Sequence, residues 1–170
     1  MEGPHRQAPG QGHTTLAVSN PLRGLESDAQ YAATVAKPVD GPAILVGHSY
    51  AGAVVTRPAR EASNVGALVY GAAFQPDEGE SCLENASCFP GARMGPDTTI
   101  ATEHEVEPEL RILPEHYQDV LAGDLPTETT DALAVTQHSV RVQALTAELS
   151  GRPAWRTLPT LLLSRWVRRQ

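Results

Sequence analysis

Residues 41–52, GPAILVGHSYAG, restrict what this chain can fold into more than any other stretch. Ala43, Ile44, Leu45 and Val46 form a short unbroken apolar run, which predicts a parallel strand covered on both faces rather than an amphipathic one. Gly47 and Gly52 then bracket Ser49, so the backbone is free to tighten directly after the strand, and residues 51–56 are apolar enough to begin a helix. A strand that runs into a sharp turn and then a helix presents one side chain at its apex, and that side chain is Ser49. A phosphate-binding loop is the weaker reading of the same glycines, because no Lys-Ser/Thr follows and the G-x-G-x-x-G pattern is not met.

The stretches on either side predict how this unit is packed. Residues 1–12 are rich in Gly, Pro and Gln without periodicity and read as a disordered arm with no strand. Residues 14–18, TTLAV, suit a short strand, and Asn20-Pro21 with Gly24 marks a turn. Leu25, Ala29, Ala32, Ala33 and Ala36 recur at helical spacing until Pro38 and Gly41 stop the run. After the central turn, Pro58 predicts a bend or an end to the helix of residues 51–61. Residues 67–74, ALVYGAAF, are a second continuous apolar run, expected as a parallel neighbour of the first. Pro76-Asp77-Glu78-Gly79 opens a loop, residues 81–108 have no period and read as irregular, and residues 114–122 and 128–140 read as short helices. Residues 160–163 are a last strand candidate, followed by Arg165, Trp166, Arg168 and Arg169. The whole is one domain: an arm over 1–12, a core of 13–88 and 156–164, and a lid over about 89–155.

Charge and composition exclude several classes of function. With 170 residues, 41% hydrophobic, the chain is long enough for one real core. Its net charge of -7 offers no basic field to nucleic acid or to an anionic membrane. No apolar run approaches the length of a spanning helix, and the N-terminus lacks the hydrophobic segment of a signal peptide, so a cytoplasmic location is expected. In that setting Cys82 and Cys88 are expected as free thiols.

Three stretches taken together, NPLRGL at 20–25, ILVGHSYAG at 44–52 and ALVYGAAFQPDEGES at 67–81, resemble the α/β-hydrolase superfamily, more narrowly its small esterase-type members. PAWRTLPT at 153–160 resembles the passage from the lid of those enzymes to the next core strand. The resemblance runs from about Gly12 to Leu163. It implies a mostly parallel sheet with flanking helices and a helical lid insertion, incomplete and truncated at both ends. It also implies carboxylic-ester hydrolysis through an acyl-enzyme on a serine held in a nucleophile elbow. Ser49 matches the nucleophile, and the backbone N–H of Tyr50 matches one oxyanion donor. The elbow departs from the strict G-x-S-x-G pattern, with Ala51 where glycine stands and Gly52 one place later.

A serine hydroxyl needs a base and an orienting acid, and here the family pattern runs short. The histidine-glycine motif that supplies the second oxyanion donor has no counterpart, and the seven residues after Leu163 contain no Asp, Glu or His. Asp77, just past the second apolar run, is a candidate acid, although PDEGE is also an ordinary solvated turn. His138 and His116, both in the lid, are candidate bases, while His48 beside the serine is expected to point away from it and pack. Tyr50 either packs or lines the pocket, and Trp155 and Phe74 read as packing residues. Two readings follow. One is a serine hydrolase of small-molecule esters, impaired by its missing parts. The other is a non-catalytic truncated remnant, or a binding protein with the elbow retained. No cofactor, metal, nucleic acid or membrane partner is expected. An incomplete sheet would expose unpaired strand groups, which predicts marginal stability and self-association.

Overall fold

The computed structural model describes residues 6–7, 13–57, 62–88, 93–104 and 106–163. Two short strands, β1 (Arg6–Gln7) and β2 (Thr14–Thr15), pair antiparallel as a separate two-stranded sheet. This corrects two expectations. The segment before residue 13 contributes a strand, and the TTLAV run shrinks to two paired residues outside the main sheet, leaving Leu16 and Val18 exposed. A partner only a few residues away in sequence closes a short loop, whereas joining the main sheet requires a longer one.

Helix α1 (Leu25–Ala36) follows, as the alanine spacing predicts, and buries Leu25, Asp28, Ala29, Ala33 and Ala36 on one face. It ends at Lys37, and Gly41 at φ 78° turns the chain into β3 (Ala43–Ser49). Helix α2 (Ala51–Thr56) and then β4 (Val65–Ala73) complete the central unit. The bend expected at Pro58 lies outside the described residues. β3 runs parallel to β4, and β4 runs parallel to β8 (Thr160–Leu163), so the main sheet has the order β3-β4-β8. Both continuous apolar runs and the last strand are therefore strands of one parallel sheet.

Helices α1 and α2 lie on the same side of that sheet. Val55, Val65, Leu68, Tyr70 and Ala36 form one buried cluster there, supported by Leu45, Trp155 and Leu158. The opposite side is bare among the described residues. Ile44 and Val46 are 62% and 69% exposed, and Leu161 and Leu163, whose register partners Val69 and Gly71 share that face, are each 54% exposed. The expectation that β3 is covered on both faces is thus corrected: its residues alternate between covered and exposed because both helices take one face. Tyr70 is fully buried, and its hydroxyl lies 2.7 Å from Thr56 Oγ1, which in turn donates to Gly52 O.

The stretch read as irregular, 81–108, carries structure of its own. Helix α3 (Cys82–Ser87) is closed by a capping box between Ser81 and Glu84. Strand β5 (Thr99–Thr102) pairs antiparallel with β6 (Glu109–Ile112). Beyond them a 3-10 turn, Pro114–His116, leads into α4 (Tyr117–Leu121), and α5 spans Thr127–Thr136, close to the two helices expected. The second expected helix ends earlier than residue 140, because Val140–Arg141 form β7, the third strand of the small antiparallel sheet. Helix α6 (Val142–Thr146) then packs against α3 and contributes Ala144 and Leu145 to a second buried cluster with Leu25, Tyr50, Ala53, Val54 and Leu149. Cys82 and Cys88 are both free, the former buried and the latter exposed.

Candidate active site

The turn at Ser49 is tight, and its neighbours explain why. Ser49 has φ 51°, in the left-handed region that costs a side-chain-bearing residue energy and is held only where surroundings enforce it. Here the enforcement is visible. Ser49 O accepts from Phe74 N at 3.1 Å, and the β3–β4 register shifts between His48 and Ser49. A Cβ at Gly47 would come within 2.6 Å of Ala51 O, so α2 can fold back over the strand only with glycine there. A Cβ at Gly52 would come within 2.7 Å of Ala73 Cβ and closer still to Phe74 O. The second glycine is therefore required at 52, where α2 meets β4, and alanine is accommodated at 51. The displaced glycine of the sequence pattern has a steric reason.

Tyr50 both packs and lines the cavity. Its ring is buried, and its hydroxyl donates to Asp28 Oδ2 at 2.9 Å. Burial, and next the Asp28 charge, push the phenol far above its ordinary range, so it remains a neutral donor. Asp28 is itself 1% exposed and accepts from Arg23 N at 3.2 and 3.1 Å. One buried carboxylate thus holds the residue after Ser49 and the loop before α1 at once. The Arg23 side chain reaches across to Glu109 on β6, which also accepts from Ser139 Oγ. The Ser139 hydroxyl foremost, and then Arg23, His104 and Arg141, hold the Glu109 carboxyl below its usual range.

Two adjoining cavities meet at Ser49. The larger, about 750 Å³, is lined by Ser49 and Tyr50 with Asn20, Phe74, Tyr117 and His138 among others. The smaller, about 680 Å³, shares His48, Ser49 and Phe74 and reaches Arg93 and Val120. Residues from the 93–121 and 137–145 segments form much of the wall. The lining is mainly apolar, with Leu22, Leu110, Ile112, Val140 and Leu145 on one side.

The structure brings together some of the residues singled out in the sequence. His138 shares the larger cavity with Ser49. His48, expected to pack, is exposed and lines both cavities, because the sheet face it points to is uncovered. His116 is half-buried and lies outside the lining of both. Asp77 also lies outside it, on the surface, with its carboxylate bound by Arg156 and capping Glu78 N. The Arg156 hydrogen bond, more than any other contact, holds the Asp77 carboxyl below its ordinary range. Arg156 in turn stacks 4.7 Å over Trp155, whose indole N–H donates to Pro76 O. Phe74 packs against a buried cluster and lines both cavities. Burial pushes the Cys82 thiol up to about 12, which leaves it unreactive. Among the described residues, no group of three or more His, Cys, Asp or Glu is arranged to hold a metal ion.

Two residues of the site went unnoticed in the sequence. Asp28 falls on the apolar stripe of α1, three places after Leu25, and a lone charge at such a position is a signal of a buried polar anchor. Asn20 sat inside the NPLRGL motif and was read only as a turn residue.

The chain thus combines a parallel sheet with helices packed on one face and a serine at a strained strand-to-helix turn facing a cavity. The sequence profile described as the alpha/beta hydrolase family matches residues 7–168, and the chain belongs to that family. Among solved structures, it is similar to polyneuridine aldehyde esterase, at a TM-score of 0.63 and 13% identity over 84% of this chain and 61% of that one. It is similar also to a pyrethroid hydrolase, at a TM-score of 0.61 and 18% identity, covering 82% of this chain and 57% of the other. A third is a methylesterase from Arabidopsis, at a TM-score of 0.58 and 18% identity, covering 87% and 59%. The chain spans about three fifths of the length of these structures, and at such identities the likeness is one of fold. No curated protein matches the sequence. Among the described residues, no helix is long and apolar enough to cross a membrane.

Proposed function

We propose that the chain is a serine hydrolase of small-molecule carboxylic esters, with Ser49 as its nucleophile. The observation that carries this reading is the φ of 51° at Ser49, stored at a strand-to-helix turn that opens on a largely apolar cavity. Esterase and hydrolase structures among the fold relatives support it. Ser49 Oγ attacks the ester carbonyl carbon, and its proton passes to a base. The carbonyl oxygen becomes an oxyanion facing the Tyr50 N–H, and the tetrahedral intermediate expels the alcohol, which takes up a proton. Water then releases the acid from the acyl-enzyme and restores the serine.

His138 is the base in this reading, since it shares the cavity with Ser49. Among the described residues the histidine within ion-pair distance of a carboxylate is His104, 3.8 Å from Glu109, and not His138. Asp77 is committed to Arg156. A serine with an unoriented base reacts slowly, and a site lacking a triad member retains about 10³ to 10⁴ of acceleration over water from binding and oxyanion stabilisation. Weak turnover is therefore expected.

A fluorophosphonate probe tests the reading, because it reports acylation-type attack without requiring turnover. Covalent labelling is expected in the wild-type chain and is expected to vanish in Ser49→Ala. Absence of labelling in protein whose folded state is verified by circular dichroism favours the alternative, a non-catalytic chain that keeps the elbow and at most binds. The unoriented His138 is the observation that keeps that alternative in play.

A further inference from the structure

The Asn20 side chain carries a polar group at the cavity that nothing among the described residues explains. Asn20 lines the same cavity as Ser49 and Tyr50. Its Oδ1 is buried and has no hydrogen-bond partner among the described residues. A buried acceptor without a donor is costly, and an amide left in that state asks for a reason. The loop that carries it is fixed at several points. Leu22, two residues on, sits at φ 60°, a conformation leucine rarely adopts. Leu22 O accepts from Arg141 N at 3.0 Å, Arg23 N donates to both oxygens of Asp28, and Asp28 also holds the Tyr50 hydroxyl. The loop bearing Asn20 and the turn bearing Ser49 are thus clamped to the same carboxylate. Backbone strain and an unmatched polar group on the cavity that Ser49 lines are marks of a group placed for chemistry rather than for stability.

We propose that the Asn20 carboxamide is the second oxyanion donor of this site. In this assignment the Nδ2 amino group, the donor end of the amide, meets the occupant of the cavity that Asn20 lines. As Ser49 Oγ bonds to the ester carbon, the carbonyl π electrons move onto the carbonyl oxygen. That oxygen then accepts hydrogen bonds from Tyr50 N–H and from Asn20 Nδ2, neither of which gives up its proton. On collapse the electrons return, the alcohol leaves, and the two donors are unchanged. A side-chain amide in this role supplies what the histidine-glycine motif supplies in the resemblance drawn above, by a different residue from a different loop. The assignment rests on Ser49 being the nucleophile.

The test measures the second-order rate of Ser49 phosphonylation by a fluorophosphonate, whose phosphoryl oxygen gains charge in the same hole. Loss of one oxyanion donor lowers such rates by about 10² to 10³. Asn20→Ala and the near-isosteric Asn20→Asp are expected to slow labelling by that factor, with final stoichiometry and circular dichroism spectrum unchanged. Asn20→Ser, which restores a donor, is expected to recover part of the rate. Labelling of folded Asn20→Ala and Asn20→Asp within about threefold of wild type overturns the proposal while leaving Ser49 as nucleophile. Labelling that persists in Ser49→Ala, or none at all in wild type, overturns the reading of Ser49 and this assignment with it. If Asn20→Ala does not fold, the isosteric Asn20→Asp decides alone.

Discussion

At the scale of single residues, the turn at Ser49 is tied to a polar contact made by its neighbour. Tyr50 lines the cavity, and its side chain is buried where the hydroxyl meets Asp28. A carboxylate that is 1% exposed needs its partners, because withdrawing one leaves charge buried without compensation. Tyr50→Phe keeps the ring in its cluster and removes only the hydroxyl. The expected cost is about 1–3 kcal/mol of folding stability, read as a lowered midpoint in urea unfolding. Labelling of Ser49 is expected to persist in that variant, since the Tyr50 N–H belongs to the backbone. An unchanged midpoint would show that the contact contributes nothing and that Asp28 is satisfied by Arg23 N alone.

At the scale of elements, the central strand, turn and helix act as one unit whose geometry is set by two glycines. Substituting Gly52 by alanine pushes a methyl group into Ala73 Cβ and Phe74 O, against backbone that cannot yield without moving α2 off β4. Overpacking of this kind costs about 1–3 kcal/mol and occasionally more, and backbone contact places Gly52→Ala at the upper end. A thermal scan is expected to show a clear loss of stability for Gly52→Ala. Ala51→Gly, at the position where the strict pattern has glycine, is expected to cost only the helix-propensity difference of about 1 kcal/mol. Equal losses in the two variants would refute the steric assignment. These elements were legible beforehand because continuous apolar runs of four residues or more, bounded by Gly and Pro, have few other uses. Leu68 and Tyr70 fall at 0% exposure inside one such run. The small antiparallel sheet was illegible for the opposite reason: its strands are two to four residues long, β7 lies far along the chain from β6, and they carry Glu109, Arg111 and Arg141. What pairs them is tertiary, including the Arg23–Glu109 contact across 86 positions. The turn at Ser49 was legible in the sequence because it is local. The contacts of Asp28 were not, although its place on the apolar stripe of α1 signals a buried anchor, because they appear only when the loop and the elbow converge on one carboxylate.

At the scale of the whole molecule, the balance of covered and bare surface is the dominant feature. Helices α1 and α2 cover one face of the β3-β4-β8 sheet, and among the described residues nothing covers Ile44 and Val46 on the other, where His48 also lies exposed. Among the described residues β3 also has no strand on the side away from β4, so its N–H and C=O groups on that edge form a pairing template. An apolar face beside an open strand edge is the arrangement by which sheets associate, and a second copy of the same chain offers the same edge and the same face. The charge of -7 opposes this only at long range, since repulsion between solvent-exposed charges is screened over about 8 Å at physiological ionic strength. We therefore expect concentration-dependent self-association, visible in sedimentation velocity as a rising weight-average coefficient. Val46→Lys, which places a charge on the most exposed apolar position of β3, is expected to shift the equilibrium towards monomer without disturbing the face under α2. A wild-type chain that stays monomeric across the accessible concentration range, with a sharp reversible unfolding transition, would show that the bare face and open edge are tolerated in isolation.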